Sequence, residues 1–323
     1  MIIDNNLFNK YIPNNFNSFV VGLSGGADSL CLTLLMNEYV KSNNYKLVAC
    51  IVDHKLRKES STEILPIIEI LKNYNIEYKV LVWEHDNINT KIELLARQAR
   101  YNLLYNFCKS IECNCLCTAH HALDQWETFF MRLSRGSGIR GLSSISPMSD
   151  LKDIKLLRPL LHFTPKDIKD TLKNRFNITE YVRDSMNYDP KFERVKWRQS
   201  YDLLSSSKYN LSIDNINTSI NRIQRANDCI DNVLKENINE IYNNNYLNLK
   251  LFKKQHIEMQ IRILRYIVNS FFPEKQIISY ELLERMANII TSNNFNATNF
   301  CHLVFKRDRT KKVKVYIENR NRK

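Results

Sequence analysis

A chain of 323 residues is long enough for about two domains, each able to bury its own core. Its 47 Lys and Arg against 34 Asp and Glu leave a net charge of +13, the balance of a protein that meets a polyanion such as nucleic acid. Nothing approaches about 18 consecutive apolar residues, which excludes a membrane-spanning helix, and eight scattered cysteines in so long a chain do not make a disulfide-stapled scaffold. The start, Met1-Ile2-Ile3-Asp4, lacks the basic-then-apolar order of a secretory leader, so a reducing, cytoplasmic setting is expected.

The first predicted element is the apolar run Phe19 to Leu23, of strand length and rich in β-formers. Ser24-Gly25-Gly26-Ala27-Asp28-Ser29 follows as a tight turn into a helix from about Asp28 to Lys41. Such a turn leaves backbone N–H groups unpaired at a helix start, where the macrodipole favours an anion. Ser24 and Ser29 add hydroxyl donors, and Asp28 can hold a cation beside a bound phosphate. No Lys follows the glycines, so the phosphate-loop NTPase pattern is absent. The glycines are adjacent, so the dinucleotide pattern is absent too.

The second strand, Lys46 to Val52, ends at Asp53-His54-Lys55-Leu56-Arg57, and polar groups beyond a strand's carboxyl end are where open α/β sheets bind ligands. A helix is predicted from about Ser60 to Tyr74, a strand from Glu77 to Trp83, and a helix from about Lys91 to Cys108. That last helix carries Glu93, Arg97 and Arg100, either as a salt-bridged surface or as a binding face. Cys113, Cys115 and Cys117 alternate along a strand and are expected to pack as small hydrophobes, since no second cysteine pair completes a zinc pattern. After His120-His121 a helix opens with Asp124 and Glu127 on one face. That spacing suits a Mg²⁺ bridged to substrate phosphates, and it equally suits plain capping. Arg132, Arg135 and the stretch through Gly141 form a basic, glycine-rich loop: a lid, a nucleic-acid contact or an ordinary helix end.

Strands alternating with helices over residues 18–160 predict an α/β fold with a doubly wound parallel sheet. Arg158-Pro159-Leu160-Leu161 closes a strand, and Thr164-Pro165 starts a helix with a Thr cap and Pro at its first position. A polar turn, Asp184 to Asn187, precedes a basic helix with Lys191, Arg194, Lys196 and Arg198. Ser205-Ser206-Ser207 reads as a boundary, giving residues 1–206 as one domain and 207–323 as a smaller, mainly helical one. Helices are expected over about 212–241, 254–271 and 279–292, and the segment from Lys306 to Lys323 as a basic tail.

The turn resembles the S-G-G-x-D-S loop of the N-type ATP pyrophosphatases. Taken with Val52-Asp53-His54-Lys55-Leu56-Arg57, with Ala96-Arg97 and Arg100-Tyr101, with His120-His121, Asp124-Gln125 and Glu127-Thr128, and with Arg135-Gly136-Ser137-Gly138, it is similar to the tRNA(Ile)-lysidine synthetases. The likeness covers about residues 18–200 in detail. It implies ATP and Mg²⁺ as cofactors, L-lysine as co-substrate and a tRNA(Ile) with a CAU anticodon as partner. ATP would adenylate C2 of the wobble cytidine and lysine would displace AMP. By that resemblance, Asp28, Asp124, Glu127 and Arg97 are the candidate catalytic residues, with Asp28 and Asp124 toward the metal. Ser24 to Ser29, Asp53 and His54 would hold the nucleotide, and Arg132, Arg135, Arg194 and Arg198 the tRNA. The family pattern has a carboxylate where this chain has Leu123 and Asn where it has Val195. Leu123 is accordingly expected at the mouth of the polar site. The alternatives are a tRNA cytidine thiolation enzyme of the same fold, which the absence of C-x-x-C disfavours, and an inactive tRNA-binding relative.

Overall fold

The core of the first part of the chain is a six-stranded sheet whose central strands are buried on both faces. The computed structural model describes residues 1–13, 15–55, 64–85, 92–182, 193–205, 211–272, 278–309 and 312–318. Leu56, Arg57, Lys91, Asp184, Asn187, Lys191, Ser206, Ser207 and Arg320 to Lys323 lie outside them, as does the side chain of Glu93. After a short 3₁₀ helix, Asn5–Lys10, come β1 Ser18–Leu23, α1 Ala27–Asn43, β2 Lys46–Asp53, α2 Leu65–Asn73, β3 Glu77–Val82, α3 Ile92–Ser110 and β4 Cys115–Cys117. Next follow α4 Ala122–Leu133, α5 Ile139–Leu142, β5 Met148–Leu151, β6 Ile154–Leu157, α6 Pro165–Phe176 and α7 Glu193–Leu204.

The sheet runs β3-β2-β1-β4-β6-β5, all neighbours parallel except the β5–β6 edge hairpin. Phe19, Val21, Leu23, Leu47, Ala49, Ile51, Cys115 and Cys117 point to one face, into a core shared with α1, α2 and α6. Val20, Val48, Cys50 and Leu116 point to the other, where Leu104 and Cys108 of α3 cover them. The C-x-C-x-C run is therefore core packing: Cys113, Cys115 and Cys117 are all buried. Helix α1 is apolar nearly all round, because Leu30, Cys31, Leu32, Leu34, Leu35 and Met36 are buried together between the sheet and α6.

The chain leaves β1 for β2 and β3 on one side, and β4 returns on the other side of β1. The carboxyl ends of β1 and β4 thus flank a topological switch point, the place where an open α/β sheet leaves a crevice.

The residues fall into two compact units, 1–135 with 144–220, and 136–143 with 221–323. The second contains most of α8 Ile213–Ile241, then β7 Tyr242–Asn243, β8 Tyr246–Leu247, α9 Leu249–Lys254, α10 Ile257–Phe271, α11 Tyr280–Thr291, β9 Ala297–Phe300, β10 Leu303–Arg307 and β11 Val313–Ile317. Helices dominate it, and Ile261, Leu264, Ile267 and Val268 of α10 form the expected core stripe. The basic-tail reading of the C-terminal segment is corrected for its described part. Residues 303–307 and 313–317 are paired strands of a five-stranded antiparallel sheet, with Phe305, Val313 and Val315 buried beneath their lysines. Among the described residues no helix is long and apolar enough to cross a membrane.

Candidate functional site

The turn after β1 is built as an anion cradle. Gly26 is the N-cap of α1 and supplies no side-chain cap, so the first N–H groups of the helix are left without a capping side chain. The Ser29 hydroxyl ties the turn together, accepting the Ser24 N–H at 3.1 Å, donating to the Gly26 carbonyl at 3.1 Å and lying 3.1 Å from the Ser24 hydroxyl. Gly25 has φ +84°, and a Cβ there would lie 2.2 Å from Cδ1 of Ile67. Gly25→Ala therefore meets both backbone strain and a clash. It is expected to weaken nucleotide binding at least about tenfold, read by ATP titration, with the loss of about 1–3 kcal/mol of stability that such strain implies.

Directly across the crevice, β4 delivers His121 and α4. His121 is the N-cap of α4, and its Nδ1 accepts the Leu123 N–H at 3.2 Å. The other ring nitrogen, Nε2, faces Asp28 Oδ2 at 3.7 Å. Asp124 closes the capping box by accepting the His121 N–H at 2.8 Å. Arg198 on α7 donates to Glu127 Oε1 at 2.6 Å and lies 3.9 Å from Asp124. One connected group results: Asp28, His121, Asp124, Glu127 and Arg198.

The electrostatics sort these acids. Burial raises the Asp28 carboxyl above its usual range, with His121 opposing and Asp124 adding to the rise. Burial and then Asp124 raise Glu127, against Arg198. Asp124 is also pushed up by burial, but His121, His120, the His121 N–H and Arg198 outweigh it and hold the carboxyl low. Lys169 of α6 brings a further positive charge within reach of Asp28.

A second charge cluster adjoins the first through His120. The charges of Arg158, Arg97 and Arg100 all act on this ring. Arg97 and Arg100 both lie over the Tyr101 ring, at 5.2 and 5.5 Å, and the Arg194 charge reaches Arg100. Arg158 is held by the Ser146 carbonyl at 2.8 Å and the Ser149 hydroxyl at 3.1 Å, with its Nε buried and unpartnered. Among the described residues no carboxylate forms an ion pair with Arg97, Arg100, Arg158 or Arg194. Guanidiniums without an ion-paired carboxylate among the described residues are a donor set suited to phosphate oxygens.

Burial, together with these arginines and against Asp124, pushes His120 from 6.5 to about 4. Its folded value lies below the unfolded one, so the native state binds fewer protons in between and loses stability as pH falls through that window. His120→Asn is expected to flatten the loss between pH 6.5 and 4, measured by urea unfolding at several pH values.

The remaining expected residues are distributed as follows. Asp53, buried at the end of β2, accepts the Lys55 N–H at 2.9 Å, and His54 lies edge-on to Trp83. Arg132 donates to the Ser144 carbonyl at 3.0 Å, and Arg135 pairs with Glu193. Arg198, expected to hold tRNA, is paired with Glu127 and lies near Asp124. The expectation for Leu123 is corrected. It points away from the acids into a cluster with Ala122, Trp126, Ile213, Ile216 and Ile220. Residues 123 and 126 share one face of α4, while 124 and 127 share another. His121 escaped selection as a site residue, although a polar residue just past a strand end and before a helix was signal enough.

Hard carboxylate oxygens are the right donors for Mg²⁺, and Asp28 and Asp124 act on each other across the crevice beside the cradle. Among the described residues no three acidic, His or Cys side chains form a closed cage. Mg²⁺ takes one or two carboxylates and fills its shell with phosphate and water.

Comparison with known proteins shows the family of the chain. The PP-loop domain family matches residues 2–201. A tRNA(Ile)-lysidine synthase of Rickettsia felis is 30% identical over 304 residues, covering 91% of this chain and 68% of its own. The chain belongs to the tRNA(Ile)-lysidine synthase family of PP-loop proteins. Family members from Wolbachia pipientis wMel and Orientia tsutsugamushi are each 32% identical, over 87% and 77% of this chain. The chain spans only 66% and 58% of the length of those two lysidine synthases. Among solved structures, the U34-tRNA thiolase NcsA from Methanococcus maripaludis, with its [4Fe-4S] cluster, superposes with a TM-score of 0.56 at 20% identity, covering 68% of this chain and 77% of its own. That likeness establishes the shared fold.

Proposed function

We propose that this chain, acting in the cytoplasm, uses ATP to join L-lysine to C2 of the wobble cytidine in the CAU anticodon of a tRNA(Ile). The reading rests above all on one observation: in a chain of this family, the cradle residue Asp28 meets His121, Asp124, Glu127 and Arg198 at the sheet's switch point. In the first step the cytidine C2 oxygen attacks the α-phosphorus, the Pα–O bond to the β-phosphate breaks, and pyrophosphate leaves. In the second, an amine of lysine attacks C2, the C2–O bond to AMP breaks, and the amine sheds a proton.

Each group has a part in these steps. The uncapped N–H groups of α1 and the Ser24 hydroxyl hold the departing phosphates. Asp53 and His54, at the end of the neighbouring strand, line the nucleotide side. Asp28 and Asp124 would hold Mg²⁺, which when bound neutralises phosphate charge. Asp124 and Glu127 draw the lysine ammonium group, and Arg198 fixes both. Glu127, with its carboxyl raised, is the better-matched acceptor for the proton that the amine sheds. Arg97, Arg100, Arg158 and Arg194 hold RNA phosphates beside the target base, while Arg132, Arg135 and the helical domain from residue 207 onward take other parts of the tRNA. The thiolation reading lacks support in the cysteines, since Cys31, Cys50, Cys108, Cys113, Cys115 and Cys117 are spent in the core.

The test is nucleoside analysis of tRNA(Ile) bearing CAU after incubation with ATP and lysine. Lysidine formation with one AMP and one pyrophosphate per modified base is expected. AMP release with no lysidine, or neither product, would overturn the reading.

A further inference from the structure

The antiparallel sheet of the second unit, ordered β7-β8-β11-β10-β9, is buried on one face only. Leu247, Val313, Val315, Phe305 and Leu303 point inward, into one core with Leu264 and Ile267 of α10. Their neighbours along each strand point the other way. The register sets Tyr246 of β8 opposite Lys314 of β11, and Lys314 opposite Lys306 of β10. On the next row of the same face, Tyr316 stands opposite Val304 and Val304 opposite Asn299. Tyr246 and Tyr316 are 36% and 38% exposed, and both lysines are exposed as well.

This open face carries charge that the fold itself does not need. Residues directly opposite in an antiparallel pair have Cβ atoms about 4.5–5.5 Å apart, and like charges placed so destabilise the pairing. Lys306 and Lys314 are such a pair. Among the described residues neither has a carboxylate at ion-pair distance. The acids nearest in sequence are engaged: Asp308 accepts the Lys312 N–H at 2.9 Å in the β10–β11 turn, and Glu318 accepts Asn299 Nδ2 at 2.7 Å. Tyr246 is directly beside Lys314, and Tyr316 is two residues along from it, so two rings border the charged pair.

We propose that this face binds an unpaired stretch of RNA, with Lys306 and Lys314 on its backbone phosphate and Tyr246 and Tyr316 as platforms for flanking bases. The proposal rests on the tRNA reading above and adds a contact surface built wholly from the second unit. A phosphate between the lysines replaces one repulsion by two attractions. Every base has a π-face that can stack on a tyrosine, and an unpaired nucleotide offers it where a duplex withholds it. An acidic peptide would satisfy the lysines, but its carboxylates bring no flat face to the rings. The net charge of +13 favours the same occupant.

The experiment titrates the full chain with a tRNA(Ile) CAU transcript, a single-stranded RNA oligomer and the duplex of that oligomer, at graded salt. Thermal melting serves as the fold check. Lys306→Ala/Lys314→Ala should bind transcript and single strand more weakly, with the salt slope shallower by about one to two. Tyr246→Ala/Tyr316→Ala should bind the single strand at least about fivefold more weakly at an unchanged slope, and the duplex almost as before. Lys306→Glu, facing Lys314, should melt at or above the unaltered chain while binding RNA more weakly. If the unaltered chain binds the transcript and the folded lysine variants match it in affinity and slope, the face is wrong and the tRNA reading stands. Equal losses on single strand and duplex from the tyrosine variant would overturn the stacking. If that variant melts far below the unaltered chain, Lys306→Glu decides by affinity and slope. Binding of the oligomer but not of the transcript would sink the tRNA reading and leave the face; binding of neither sinks both.

Discussion

Asp28→Ala is expected to abolish AMP and pyrophosphate formation, by about 10²–10⁴-fold or more, while leaving most tRNA affinity in place. Asp28 is the acidic residue in the first turn of α1, and it faces His121 across the crevice. Its loss removes the carboxylate of the turn proposed to cradle the phosphates. The guanidiniums assigned to RNA lie on or beside other elements: α3, α7, the end of α4 and the segment after β6. Asp28→Asn separates charge from shape, and it should be nearly as inactive. Stability should move the opposite way. Burial raises the folded pKa of Asp28 above its unfolded value, so the ionised carboxylate is a burden to the native state that grows as pH rises through the folded value. At pH 7 Asp28→Asn should therefore melt at or above the temperature of the unaltered chain, a trade of stability for function. Near-normal lysidine formation by either variant would remove Asp28 from the reaction.

Much of the first unit was legible because its signals are local. Phe19 to Leu23, Lys46 to Val52 and Glu77 to Trp83 read as strands on composition, and the Ser-Gly-Gly turn has few structural uses that also place an acid in the first helical turn. The C-terminal sheet was not read. Val313-Lys314-Val315-Tyr316 alternates at period two, but its lysines joined a longer basic run and the charge hid the strand. Strands β7 and β8, two residues each, carry no periodicity to read. At the site, spacing identified Asp124 and Glu127 as face-sharing acids, yet it could not say that Arg198 would return to bind them. That contact depends on how α7 packs on α4, through Trp126, Tyr201 and the Trp126 N–H donated to the Trp197 carbonyl at 3.2 Å.

The family pattern invites restoring a carboxylate at position 123, and the structure reverses the expected result. Leu123→Asp should unfold the chain or lower its stability by about 4 kcal/mol or more, with no gain in activity. Leu123 is only 9% exposed and packs in an apolar cluster with Trp126, Ile213, Ile216 and Ile220. Deleting a buried Leu side chain costs about 2–5 kcal/mol by itself, and a carboxylate in its place must also be desolvated or protonated. Against a typical stability of about 5–15 kcal/mol the sum is severe. Nor can the new acid reach the site by turning, because residues 123 and 124 project about 100° apart around α4. Leu123→Met keeps the volume and should cost under about 1.5 kcal/mol, which isolates charge from packing. Urea unfolding of the three proteins at pH 7 measures this. A Leu123→Asp protein with native stability and faster lysidine formation would mean that α4 is rotated from the orientation described. The acid face would then have to include residue 123, and the pairing of Arg198 with Glu127 would be lost.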